Sequence, residues 1–406
     1  MKQIKNALSA LPYLFSGYRI IALFGLLLLA SGLAMAQKIS VLYNFDGGAD
    51  GGFPKAGLIR DPQGNLYGTT TGDQGVSTGF GTIFEVTSAG VGKVLYRFTG
   101  GADGCSPMAG LIRDSSGNLY GTAAGGGTGT CASGHGVVFE LSSTGTETVL
   151  YTFTGGTDGG TPEAPLFRDR SGNLYGTTAQ GGAANAGTVF EIPFGGTQTV
   201  LYSFSGGADG ANPTSGVVRD ASGNFYGTTV NGGSSACTGG CGVVYTISST
   251  GTESTLYSFL GGTKGMFPYG GLTYSVNGTL YGTTSVSGGS GACDAGCGTV
   301  YSVSTTGTQK IVHDFSGADG QAPDAALLQD SKGNLYGTTF EGGIYGFGAV
   351  FMFNSAGQES LLYNFTGAGD GSNPYSTLLR DSKGNLYGTT EFGGAHGYGT
   401  VFKVAP

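Results

Sequence analysis

Short apolar runs, separated by clusters of glycine and small polar residues, fill the chain from about residue 38 onward and recur in a fixed order. In one stretch Pro107 opens the run Met108-Ala109-Gly110-Leu111-Ile112, which ends at Arg113-Asp114. Ser115-Ser116-Gly117 leads into Asn118-Leu119-Tyr120-Gly121-Thr122, and a glycine-rich loop leads into Gly136-Val137-Val138-Phe139-Glu140-Leu141. The turn Ser142-Ser143-Thr144-Gly145 follows, then Thr148-Val149-Leu150-Tyr151-Thr152-Phe153. Runs of this length, rich in β-branched and aromatic residues and bounded by turn formers, predict four β-strands, labelled a to d in order. The Asp-x-x-Gly-Asn junction between a and b suits a tight hairpin, because Asp favours the first turn position and Gly accepts the left-handed residue.

The whole pattern repeats. The tyrosine of strand b falls at Tyr67, Tyr120, Tyr175, Tyr226, Tyr281, Tyr336 and Tyr387, in steps of 51 to 55 residues. Four antiparallel strands per unit of that size is the arithmetic of a propeller blade. An open stack of such units would leave unpaired edges and bare apolar faces, whereas a ring buries both faces of every sheet. The expected fold is therefore all-β, a seven-bladed β-propeller with almost no helix. The ends support closure: Ile39 to Phe45 reads as a d strand with no a, b or c before it, and Gly399 to Val404 as a c strand with no d after it. The first strand is expected to complete the last blade.

The tandem Gly-Asn-Leu-Tyr-Gly-Thr-Thr and Gly-Thr-Val-Phe-Glu segments resemble the Gloeo/Verruco (GloVer) repeat of choice-of-anchor tandem-repeat proteins. The resemblance covers nearly all of residues 39–406. It implies export and a repeat fold, and it implies no particular reaction. The a–b junction is also similar in style to NHL and gluconolactonase-like propellers, a likeness that bears on fold more than on function.

Residues 1–36 stand outside the array. Lys2, Lys5 and Arg19 precede or enter an apolar run from Ile20 to Leu29, and Ala34-Met35-Ala36 is a small-x-small site. A signal peptide cleaved before Gln37 is expected, with a retained membrane anchor as the alternative; residues 37–406 then form a single propeller domain. The net charge is −8, and more negative once the leader's three cations are removed. No basic tract exists to release counterions from a polyanion, which excludes nucleic acid as a partner and argues against anionic membrane surfaces. A secreted, periplasmic or cell-surface monomer is expected, with an extracellular glycan or protein as partner.

An exported chain with six cysteines reads as disulfide-bonded. In an up-and-down blade the d–a and b–c loops share one face, and Cys105 and Cys131 lie in those two loops of one blade. Cys237 and Cys241 span one b–c loop, and Cys293 and Cys297 another. The expected pairs are Cys105–Cys131, Cys237–Cys241 and Cys293–Cys297; a four-thiolate zinc site is the rival.

Strand a opens on a proline in every unit: Pro54, Pro107, Pro162, Pro213, Pro268, Pro323 and Pro374. The next residue varies: Lys55, Met108, Glu163, Thr214, Tyr269, Asp324 and Tyr375. If strand a is innermost, these side chains ring the channel mouth on the disulfide-bearing face. Lys55, Glu163, Tyr269, Asp324 and Tyr375 are the candidate ligand-binding set. The recurring turn aspartates (Asp50, Asp103, Asp158, Asp209, Asp319 and Asp370) could suggest calcium, but Asp before Gly is ordinary turn chemistry and no Asp-x-Asp-x-Asp-Gly loop is present. Only Asp46 and Asp50 share a loop. His313 takes the tyrosine position of a d strand and is expected to pack there, while His135 and His396 are expected to face solvent. Neither a catalytic constellation nor a cofactor motif is legible, so a binding scaffold is the first reading. A hydrolase or lyase working at the channel mouth is the alternative.

Overall fold

The computed structural model describes residues 38–72, 79–288 and 293–406, so the expected signal peptide lies outside the described residues. Seven four-stranded antiparallel sheets follow one another along the chain. In the second blade, strand a is Ile112–Arg113, b is Leu119–Ala123, c is Val137–Leu141 and d is Glu147–Thr152. One 3-10 turn, Gly262–Lys264, is the sole helical element among the described residues. The opening strand Ile39–Asn44 is the d strand of the seventh blade: Ile39 pairs with Val404, Val41 with Phe402 and Asn44 with Thr400. The expected closure is therefore present.

Strand a is shorter than the pattern suggests. Only two residues of each post-proline run enter the ladder, as Ile112 and Arg113 do opposite Tyr120 and Leu119. The rest of the run is used differently. Its backbone carbonyls face the neighbouring blade, where they accept hydrogen bonds from the first threonine of the Gly-Thr-Thr motif. Thr69 donates to Ala109, Thr122 to Ala164, Thr177 to Ser215, Thr228 to Pro268, Thr283 to Ala325 and Thr338 to Ser376, and Thr389 completes the circle to Ala56, all at 2.9–3.2 Å. These hydroxyls are buried, so each bond also meets a requirement that burial imposes.

A second ring is aromatic. The Phe that follows each d strand meets the aromatic residue of the next blade's c strand: Phe45–Phe84, Phe98–Phe139, Phe153–Phe190, Phe204–Tyr245, Phe259–Tyr301, Phe315–Phe351 and Phe365–Phe402. Their ring centroids lie 5.0–5.2 Å apart at steep angles. Steep, offset geometry is the favoured arrangement for aromatic quadrupoles. The same c-strand ring lies across its own strand b, and the motif glycine makes room for it. A Cβ on Gly176 would sit 2.6 Å from Phe190 Cζ.

The prolines form a third ring. Each packs against the glycine before the preceding blade's c strand, where a Cβ on Gly187, for example, would lie 2.5 Å from Pro213 Cδ. The residue before each proline is held in the left-handed region (Phe53, Ser106, Thr161, Asn212, Phe267, Ala322 and Asn373) although none is glycine. That conformation is disfavoured for L-residues, and hydrogen bonds from both sides hold it. The Thr161 amide donates to the carbonyl of His135 in the preceding blade, and its own carbonyl accepts from Ala179.

Candidate functional site

Repeating carboxylates are consumed by the scaffold before any site is reached. At the a–b hairpin, Asp61, Asp114, Asp169, Asp220, Asp330 and Asp381 each accept from an asparagine amide four residues on and from the strand-b tyrosine hydroxyl. At the d–a turn, Asp50, Asp103, Asp158, Asp209 and Asp370 accept from the strand-d tyrosine seven residues before. Turn chemistry accounts for them. Asp46 and Asp50 share their loop as expected, with the Asp46 amide donating to Asp50 and the Gly48 amide to Asp46.

His313 breaks that series. Its Nε2 lies 2.9 Å from Asp319 Oδ2 and 3.6 Å from Glu359 Oε2, which comes from the d strand of the next blade. It also packs edge-on against Phe315. The expected packing is thus accompanied by a polar role. Among the described residues these three form the one group of three or more potential metal ligands, with donor atoms within 4.8 Å of one another. Elsewhere a tyrosine bonds the same turn carboxylate, so the trio is the rim lock of the repeat with an imidazole in place of a phenol. Burial alone would lower the His313 pKa; the Asp319 hydrogen bond and the Glu359 charge outweigh it and raise it. Asp319 is held down to about 2, the bonds from His313 and Ser316 prevailing over burial. His396 is exposed, as expected, whereas His135 is half-buried over Gly155.

The three expected disulfides are all formed: Cys105–Cys131, Cys237–Cys241 and Cys293–Cys297. No free cysteine remains, so no thiolate zinc site exists.

The post-proline residues interact across neighbouring and more distant blades. Lys55 Nζ lies 3.1 Å from Glu391 and 5.9 Å from the centroid of the Tyr375 ring. Tyr375 in turn packs edge-on against Phe340, and Ser285 donates to Asp324. Burial, with the charge of Asp324 and then the groups at Tyr269, Glu163 and Glu391, pushes the Tyr375 phenol upward, so groups from blades three, five, six and seven meet at one hydroxyl. Burial pushes Asp324 up to about 6, with Glu341 adding to it. Glu163 is also raised by burial, against the pull of Lys55. Tyr269 stands 40% exposed, its phenol raised by burial and by Asp324 and Glu163. The ring of Lys55, Glu163, Tyr269, Asp324 and Tyr375 is thus one electrostatic unit.

Three of its neighbours were not anticipated. Glu391, Ser285 and Phe340 all occupy the position after the Gly-Thr-Thr motif, which also holds Thr71, Ala124, Ala179 and Val230. This second ring varies from blade to blade as the first does, and that variation was the available signal. Each contact runs from one blade's second-ring residue to the next blade's first-ring residue.

The fold is found elsewhere. The chain is similar to the extracellular domain of a one-component system protein from B. thetaiotaomicron, at 13% identity and a TM-score of 0.56, covering 91% of this chain and 41% of that one. It therefore spans less than half of that protein's length. A gluconolactonase from Xanthomonas campestris matches at 15% identity over 93% of this chain and 92% of that one, with a TM-score of 0.46. A luciferin-regenerating enzyme matches at 12% identity over 91% and 95%, with a TM-score of 0.44. No curated protein matches the chain. The profile of the Gloeobacter/Verrucomicrobia repeat matches residues 32–166, 129–295 and 290–406, end to end through the seven blades, and the chain belongs to that family.

Proposed function

We propose that the protein is a binding scaffold that works outside the cytoplasm and takes an extracellular glycan at the channel mouth. One observation carries the reading. Within each repeat the aspartates, threonines, glycines and prolines are used in holding the ring together, while the two variable positions gather tyrosines, carboxylates and a lysine at one place. Aromatic faces with a few convergent polar groups are the usual composition of a sugar-binding surface. Three disulfides, all on the mouth-side loops, support export and keep those loops stiff.

A screen of neutral, acidic and amino polysaccharides against the residue 37–406 chain tests the reading. Binding that is lost in Tyr269→Ala and Tyr375→Ala, with unchanged melting temperature, supports it. Absence of binding to every glycan class, at protein concentrations where weak lectins bind, rejects it.

A hydrolase or lyase has one observation in its favour. The Asp324 carboxyl, pushed up to about 6 by burial, is suited to donate a proton near neutral pH. Product release from glycans or lactones that disappears in Asp324→Asn would establish this second reading, and intact substrates after prolonged incubation would remove it.

A further inference from the structure

The two variable rings meet in register, and the match between them is uneven around the channel. In blades six, seven and one, each mouth residue has a partner from the blade before: Asp324 takes the hydroxyl of Ser285, Tyr375 packs on Phe340, and Lys55 pairs with Glu391. Across blades three to five the mouth residues are Glu163, Thr214 and Tyr269. The second-ring positions that would serve them hold Ala124, Ala179 and Val230, none of which has a polar side-chain atom. The Thr214 hydroxyl oxygen is buried with no hydrogen-bond partner. A carboxylate, a hydroxyl and an exposed phenol thus stand in one arc with no polar second-ring side chain to serve them.

The partnered side shows what kind of group such an arc accepts. Lys55 places an ammonium between a carboxylate, Glu391, and the face of a tyrosine, Tyr375. Attraction to the carboxylate and to the negative ring face reinforce each other there. The open arc has the same ingredients in Glu163 and Tyr269, with Asp324 acting on the same phenol; Lys55 acts on Glu163, and no basic side chain acts on Tyr269 or Asp324. The surrounding loops are acidic as well. Asp158, Asp209 and Asp319 are held ionised by their turn and rim hydrogen bonds despite burial. A mouth with Lys55 among Glu163, Asp324 and Glu391 draws cations inward and repels anions.

We propose that the arc of Glu163, Thr214 and Tyr269 binds an amino sugar, with its protonated amino group on Glu163 and its ring against Tyr269. This rests on the glycan-binding reading above and narrows it. The probe is a glucosamine hexamer, compared by titration calorimetry with the N-acetylated hexamer of the same length. Acetylation removes the charge and keeps the sugar backbone. The glucosamine hexamer is expected to bind at least about tenfold more tightly, the size of one charge-assisted hydrogen bond. Its affinity should fall with added salt. Glu163→Gln should erase the difference between the two probes without moving the melting temperature.

Equal binding of the two hexamers overturns this inference while leaving glycan binding intact. Preference for the N-acetylated or a neutral sugar does the same. Failure of every sugar to bind removes both readings together. A preference for glucosamine that survives Glu163→Gln also overturns the assignment to this arc.

Discussion

The Asn-Leu-Tyr-Gly-Thr-Thr motif recurs because each of its side chains has a separate structural duty. Asn173 donates to the hairpin carboxylate of Asp169 and accepts from the Phe194 amide, tying the a–b hairpin to the c–d turn. Leu174 is core, and the Tyr175 hydroxyl donates to Glu191 on strand c. Gly176 leaves room for Phe190, Thr177 reaches the next blade, and Thr178 bonds Thr188 across to strand c. Gly176→Ala is therefore expected to cost about 1–3 kcal/mol, the range for overpacking a full core, visible as a lowered urea midpoint. Adding Phe190→Leu should recover part of the loss if crowding is the cause. The motif's recurrence was legible in the sequence; its reason was not, because Phe190 and Ser215 become neighbours of this segment only once the sheets form and the ring closes. The mouth was half legible for a similar reason. Lys55, Glu163, Tyr269, Asp324 and Tyr375 could be picked out by their place after proline, but Glu391 and Ser285 belong to the preceding blade in each pair. Only the ring brings those positions together.

Between one blade and the next, the rim locks set a pH dependence. His313 is raised in the folded state, so its contribution is complete below the unfolded histidine value of roughly 6.5 and is lost as pH rises through the folded value. Glu359, raised by burial, acts in the same direction, since its ionised form is disfavoured in the fold. Asp319 stays ionised throughout that window and contributes no slope there. Glu147, raised to about 7 by burial and by Asp103, supplies a second source elsewhere on the rim. Replacing His313 with the tyrosine used by the other blades isolates the first source. The stability advantage of wild type over His313→Tyr, followed by urea unfolding from mildly acidic to alkaline pH, should shrink as pH rises. A gap that stays constant, or widens, would show that the imidazole charge is not what holds blades five and six at this point.

For the whole molecule, the three rings of threonine, aromatic and glycine–proline contacts have no preferred starting blade, and closure is carried by one strand. Phe45 belongs to that strand and is fully buried against Phe84. Phe45→Ala should cost about 3–5 kcal/mol, as for other buried phenylalanines. Deleting Ile39–Asn44 as well would expose the edge of Thr400–Val404 along its length. Loss of a single cooperative unfolding transition, seen by calorimetry, is the expected result; an unchanged transition would mean the other contacts suffice without the seam.

That seam is one covalent choice among several. The d strand of the seventh blade meets its c strand through the same kind of bulged ladder that joins Val137–Leu141 to Glu147–Thr152 within the second blade. A circular permutant that links Val404 to Ile39 by a short turn and begins instead at Glu147 would preserve every strand pairing. Such rearranged chains could carry a cargo or reporter at any chosen sector of the rim without disturbing the central opening.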